Sequence, residues 1–460
     1  MRRGDGSSVP GVVVLVDPRT RRMLEAPVLP LLVRMAWPNV LIMLAQASSG
    51  LIETWFVAKL GTDALAGMAL VFPTVMLMTM LSNGAIGGGI SSAVARALGS
   101  GWRERADALV LHAIVLNLVL GLGFSALFLI FGRPIYRLLG GSGGDLEAAL
   151  TYSGVVFAGN GLIWLMNGLA SVIRGTGNMA FPAIVSCVGV ALLIPISPLL
   201  IFGFGPVPAF GIAGGGVALL AFYAGGTLAM AWYVLSGRNP ARFRWVRLHW
   251  EPLAGILKVG ALSALQSLQT NLTVAGATAI VAAAAGVDAV AGFGTGVRLE
   301  YLLVPVIFGI GAPMVALVGT NIGAGQRERA LQIALSGAGL SFAITEAIGL
   351  LAALFPAAWL GLFSAEPAMI ATGSAYLRIV GPFYGFFGLG LSLYFASQGA
   401  GKLLWPLGAG ALRLVVALLG GWLVLRLTGS LDAFFATLAL ALLAYGSTML
   451  AAVKAGVWFK

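Results

Sequence analysis

Charge is the first thing this chain lacks. Asp, Glu, Lys and Arg make up 9% of 460 residues, against roughly 25% in ordinary soluble domains. So few charges cannot cover a water-facing surface, which excludes an ordinary soluble globule. Cysteine is nearly missing: Cys187 stands alone, so no internal disulfide and no thiolate metal cluster is available. The two histidines, His112 and His249, are too few for a His-rich site and read as satisfied or solvated rings. No glycine cluster is followed by Gly-Lys-Ser/Thr, which argues against a phosphate loop and ATP-driven work. The apolar stretches hold no paired metal ligands and no nucleophile–base set. No enzyme, cofactor or bound metal is therefore expected.

What is present is apolar surface. Hydrophobic residues reach 59%, mean hydropathy is +0.98, and twelve long runs are each near the ~20 residues that span a bilayer. They fall near Leu31–Val57, Met68–Ala95, Ala106–Phe131, Ala148–Ile173, Ala180–Phe204 and Ala213–Leu235. The second set is Leu253–Ala285, Val290–Val318, Ala330–Phe355, Ile370–Ser397, Leu403–Leu427 and Ala433–Val453. They are too long and too unalternating for barrel strands. The net charge of +11 raises nucleic-acid binding, but its placement argues otherwise. Most of the 27 Lys and Arg fall on one side of the spans, while Lys59, Arg133, Arg137 and Arg426 fall on the other. By the positive-inside rule both termini are cytoplasmic. Residues 1–28 read as a retained cytoplasmic tail, because no small-residue cleavage site follows Val9–Val16.

The chain also repeats itself. Gly61-x-Asp63-Ala64-x-Ala66-Gly67 recurs as Gly286-x-Asp288-Ala289-x-Ala291-Gly292. Arg103-Glu104-Arg105-Ala106 recurs as Arg327-Glu328-Arg329-Ala330, and Gly175-x-Gly177 with Pro182 as Gly399-x-Gly401 with Pro406. All share an offset of 224 or 225 residues. Six spans per repeat put both halves in the membrane in the same sense. The expectation is an all-α polytopic membrane protein: two six-helix lobes, 29–236 and 252–460, related by a pseudo-twofold along the membrane normal. A basic cytoplasmic linker, 237–251, joins them.

Ionisable and polar residues inside the spans are the site candidates. Asn39, Gln46, Ser49, Gly50 and Glu53 share a helical face. Glu53 lies about 9 Å along the axis from Lys59, and the repeat carries it onto Ala277 or Thr278, so the scaffold does not require an acid there. Glu300 lies about 18 Å deep, near the midplane, and its counterparts Val75 and Met76 are apolar. Arg298 is two residues away and off its face, so both are read either as site residues or as packing partners of other helices. Glu346 is read as a structural acid, with Arg378 or Arg413 as partner. The seventh span carries a stripe of Ser263, Gln266, Ser267, Thr270, Asn271 and Thr273. It reads either as interhelical hydrogen bonding or as the wall of a solvated central cavity. Asn160, Trp164 and Asn167, with Tyr384 and Tyr394, are candidates to line the same space. Such rings with a few polar groups suit flat amphipathic or cationic ligands.

Together these residues resemble the multidrug and toxic compound extrusion (MATE) transporters. Pro38, Gln46 and Leu51-Ile52-Glu53-Thr54 are similar to that family's first span, with Glu in place of its usual Asp. The Gly61–Gly67 loop, Arg174-Gly175-Thr176-Gly177, Arg298-Leu299-Glu300 and Val318-Gly319-x-Asn321-x-Gly323-Ala324-Gly325 match further motifs. The resemblance implies a bacterial inner-membrane antiporter that works as a monomer among lipids by alternating access. It would export organic, cationic or amphipathic small molecules as cations run inward. Members with a sodium-type network carry Asn and Asp before a Leu-Ile-Phe-Gly-like run. Here Leu193 and Ser197 stand before Leu200-Ile201-Phe202-Gly203. A hard cation needs several oxygens, whereas a lone carboxylate suffices for a proton, so Glu53 and Glu300 are expected to couple to protons rather than sodium. The alternative is a lipid-linked precursor flippase of the same superfamily. Only Arg298, Arg378 and Arg413 would be available for its phosphates.

Overall fold

The computed structural model describes residues 17–459, without the side chains of Gln46, Ala47, Ser49 and Val287. Most of the tail expected over 1–28, and the side-chain role expected of Gln46, lie outside the described residues. A short helix α1 (Pro18–Glu25) precedes α2 (Val28–Ala58), α3 (Thr62–Gly99), α4 (Arg103–Leu138), α5 (Gly143–Ala158), α6 (Asn160–Gly175), α7 (Ala180–Phe202) and α8 (Ile212–Leu235). After the linker come α9 (Trp250–Gly286), α10 (Asp288–Gly323), α11 (Arg327–Leu354), the single turn α12 (Pro356–Leu360), α13 (Pro367–Ala400), α14 (Leu404–Thr428) and α15 (Leu431–Lys454). Among the described residues eleven helices are long and apolar enough to span a membrane, or twelve when α5 and α6 count as one span bent by 49°. The fourth span is therefore broken at Gly159, which the hydropathy did not reveal.

Helices dominate because backbone groups in lipid must bond within their own segment. The breaks between helices follow the glycines. Gly61 and Gly286, equivalent in the repeat, both take positive φ (115° and 79°), which a side chain would strain. Large apolar side chains such as Leu51, Phe131, Leu192, Leu228, Leu351 and Leu419 are exposed on the outer faces. So much exposed apolar surface marks a lipid-facing exterior, and the chain is a multi-pass membrane protein.

Two buried apolar cores form, one from each half of the chain. Val71, Ile90, Tyr136, Phe157, Trp164 and Met230 belong to the first, and Phe293, Met314, Tyr376, Leu393, Phe434 and Tyr445 to the second. The long helices that open each half cross over. Leu31, Leu32 and Met35 of α2 pack in the second core, while Leu253, Ile256 and Leu257 of α9 pack on the first.

Hydrogen bonds that join the halves lie at the end carrying the linker. Ser92 Oγ donates to the Gln398 and Gly399 carbonyls (2.6 and 3.0 Å), and Arg96 Nη1 donates to Gly399 O (2.9 Å). Arg105 pairs with Glu251 there (2.8 Å). Helix α1 straps this end: Arg19 donates to the Tyr233 hydroxyl (2.7 Å), and Asn321 donates to Met23 O (3.2 Å). Two glycines make the seam tight. A Cβ on Gly99 would collide with the Thr320 carbonyl, and one on Gly323 with the Arg96 carbonyl. These contacts exchange under the 224-residue offset. Gly99→Ala and Gly323→Ala are expected to wedge the seam. In a Cys187→Ser background, a cysteine at Ser92 should then react severalfold faster with a thiol reagent supplied from the linker side. Unchanged labelling would show that the halves do not close on these glycines.

Candidate functional site

Glu53 sits in the last turns of α2 and is 5% exposed. The Tyr152 hydroxyl of α5 donates to its Oε1 at 3.0 Å. Gly215 of α8 lets the carboxyl in, since a Cβ there would lie 3.3 Å from Oε1. No Lys, Arg or His forms an ion pair with it among the described residues. A buried acid with one neutral donor is far cheaper to keep protonated than ionised. Sequence reasoning found Glu53 but missed Tyr152 and Gly215; neither stands out from its neighbours in sequence. Leu193 and Ser197 of α7 are buried, and the Ser197 hydroxyl has no partner among the described residues. Among the described residues no three acids, histidines or cysteines gather as a metal site.

Glu300 on α10 is different. Arg413 of α14 pairs with it at 2.5 Å, with side-chain exposures of 7% for Arg413 and 9% for Glu300. The guanidinium also lies over the rings of Phe387 (5.0 Å) and Tyr445 (5.9 Å). A cavity of about 30 Å³ lined by Glu300, Arg413, Tyr376 and Thr273 adjoins the pair, enough for a water or two. The expectation that Arg413 or Arg378 partners Glu346 is corrected. Glu346 Oε2 accepts from the Gly385 amide at 2.8 Å, Arg413 is taken by Glu300, and Arg378 is exposed.

The other candidates do not converge on one space. Asn160 Nδ2 donates to Gly121 O at 2.9 Å, and Trp164 stacks on Phe124 at 5.5 Å, both inside the first core. Their expected place beside the seventh span is thus corrected: α6 turns that face toward α4. Asn167 Nδ2 donates to Ser82 Oγ (2.8 Å). Tyr384 is fully buried in the second core, and Tyr394 sits by Gln398, whose Nε2 lies 3.4 Å from its hydroxyl. Arg298 is exposed and lies over Phe363 at 5.6 Å, so it does not enter a cavity. On α9, Thr270, Asn271 and Thr273 bond back to carbonyls four residues earlier (3.2, 2.9 and 2.8 Å). Gln266 and Asn39 are buried, each with an amide oxygen lacking a partner among the described residues. Of the stripe, Ser263 makes an interhelical hydrogen bond, accepting from Gln398 Nε2 at 2.8 Å. His112 accepts from the His249 amide (3.0 Å), so that ring is satisfied as expected.

Comparison with known proteins follows the same outline. The MatE family model matches residues 38–199 and again 263–423, the two matches keeping the 224–225-residue spacing of the repeat. The "FAD transporter" of Shewanella oneidensis is 30% identical over 382 residues, covering 82% of each chain. The "Probable multidrug resistance protein NorM" of Thermotoga maritima is 26% identical over 384 residues, covering 82% of this chain and 81% of its own. A solved MOP-superfamily transporter from Pyrococcus furiosus shares the fold at a TM-score of 0.85 and 23% identity, over 97% of this chain and 99% of that one.

Proposed function

Because the chain belongs to the MatE family, whose members are transporters and not enzymes, we propose that it is a proton-driven antiporter with Glu53 as the coupling acid. It exports organic small molecules from a bacterial cytoplasm across the inner membrane, both termini facing inward. The halves act as two six-helix lobes, 29–236 and 252–460, which part alternately at either end of the cleft between them. With the halves joined at the linker end, the protein in this reading faces outward. The protein works as a monomer, with membrane lipid around it.

The observation that carries this reading is the isolation of Glu53. It is buried and, among the described residues, meets one neutral donor and no countercharge. Proton binding therefore changes its free energy greatly, and a change of state needs such a differential. Glu300 is held by Arg413, so neutralising it would orphan a buried cation. Among the described residues the Tyr152 hydroxyl is the side-chain oxygen bonded to Glu53, a small set for sodium. Of the three cations that the flippase reading invoked, Arg298 and Arg378 are exposed and Arg413 is paired. The relatives' names span multidrug resistance and FAD transport, which frames the substrate as a flat amphipathic molecule. Two fluorescent probes test it: ethidium, a flat cation, and FAD, a flat anion. In proteoliposomes at least one is expected to move against a pH gradient. Movement of neither, or movement driven only by sodium, would overturn the reading. The same vesicles test the cleft: a cysteine at Thr270 should be labelled by a small aqueous thiol reagent in at least one gradient condition, and inertness in all of them removes α9 from the cleft wall.

A further inference from the structure

Arg174, at the end of α6, is 5% exposed. Its Nη2 donates to Asn83 Oδ1 (2.5 Å) and to Ser171 Oγ (2.8 Å), both neutral acceptors. Among the described residues no carboxylate pairs with it. The acids within the spans are engaged elsewhere: Glu53 with Tyr152, Asp107 with Arg244, Glu300 with Arg413, Glu346 with the Gly385 amide. An unpaired buried charge is costly, and intramembrane ionisable residues without a structural partner mark ligand paths.

Its place is equally specific. Arg174 lines a pocket of about 20 Å³ between the two halves, with Asn83, Ser91, Phe308, Phe395 and Gln398. The walls exchange under the 224-residue offset: Arg174 corresponds to Gln398 and Ser91 to Val315. The pocket thus lies where the halves meet symmetrically, beside the Ser92 seam. Charge is its one strong asymmetry, cationic from the first half and neutral from the second. Phe308 and Phe395 meet edge to face there (5.5 Å, 81°), an arrangement that also accepts a flat ring. A guanidinium fork matches carboxylate and phosphate oxygens.

We propose that Arg174 recognises the anionic group, phosphate or carboxylate, of a flat aromatic substrate where the halves meet. This rests on the reading above that substrates enter between the halves. As closed here the pocket holds about one water, so the anion seats fully as the halves begin to part.

The test compares riboflavin 5′-phosphate with riboflavin, which share a fluorescent ring and differ by the phosphate. Binding to the purified full-length protein in detergent needs no gradient. The phosphate form is expected to bind at least about tenfold more tightly, with a preference that shrinks as salt rises. Arg174→Gln should bring the two ligands within about twofold by weakening only the phosphate form. Asn83→Asp is the second variant. It keeps the shape of the existing contact and gives Arg174 a countercharge, so it should fold at least as well and lose the same preference. Equal affinities in the parent, no binding of the phosphate form, or a preference surviving in Arg174→Gln or Asn83→Asp would overturn the proposal. A protein that exports ethidium on a pH gradient yet shows no phosphate preference refutes this site and leaves the antiporter standing. Phosphate-selective binding without gradient-driven export does the reverse.

Discussion

Glu53→Gln is expected to insert and fold like the parent and to lose gradient-driven export by about tenfold or more, each tenfold being ~1.4 kcal/mol of lost driving difference. The amide has the size of the acid, and the Tyr152 hydroxyl still finds an oxygen 3.0 Å away. What disappears is the choice between a neutral and a charged side chain. A neutral acid sits at little cost beside Tyr152 and Gly215, whereas a carboxylate there lacks a cation and must be rehydrated. Ionisation therefore favours a state in which water reaches α2, and protonation favours the packed one. A permanent amide leaves the protein in the packed state in every gradient. Glu53→Asp should keep part of the activity, since the carboxyl remains but its reach to Tyr152 shortens. Export assays with ethidium at matched expression measure all three. Parent-like export by Glu53→Gln would remove the residue from coupling.

The second large effect falls on stability. Arg413→Met leaves the Glu300 carboxylate buried among Val297, Tyr376 and Leu442 without its cation, and breaking such a pair costs about 3–5 kcal/mol. Thermal melting in detergent, followed by fluorescence-detected size exclusion, should show a sharp loss. Glu300→Gln, which strands Arg413 between Phe387 and Tyr445, should also be destabilised. The double variant Glu300→Leu with Arg413→Met should recover most of the stability, because two apolar groups of similar size replace two desolvated charges. Single variants as stable as the parent would mean the pair is wetter than its geometry implies. A double variant that melts normally and still exports would confine Glu300 to a structural role.

Much of the architecture was legible because lipid imposes one local rule: a spanning segment must be apolar and helical. The twelve runs obey it within the sequence, and the basic linker 237–251 stands out as the segment that does not. The bend at Gly159 was not legible, since both sides of it are equally apolar. Side-chain facing was harder still. A helix buried on most sides is apolar all round, so nothing in the spacing of Asn160 and Trp164 said that they turn toward Gly121 and Phe124. Glu53 and Glu300 looked alike as lone acids, and only the fold separates them. Arg413, 113 residues on, neutralises one, while Tyr152, 99 residues on, merely hydrogen-bonds the other. Arg174 was visible as part of a motif. Its lack of a countercharge among the described residues emerged only when their acids had been placed.

The central claim is that protons drive this exporter through Glu53. Its most direct test is ethidium and FAD movement in proteoliposomes holding the parent, Glu53→Gln or Glu300→Gln, under an imposed pH gradient, a sodium gradient, or neither. The account predicts that the parent responds to the pH gradient and not to sodium, and that Glu53→Gln loses this response. Glu300→Gln, once corrected for the amount of folded protein, should retain it. Sodium-driven movement, or a pH response that survives in Glu53→Gln and vanishes in Glu300→Gln, would contradict it.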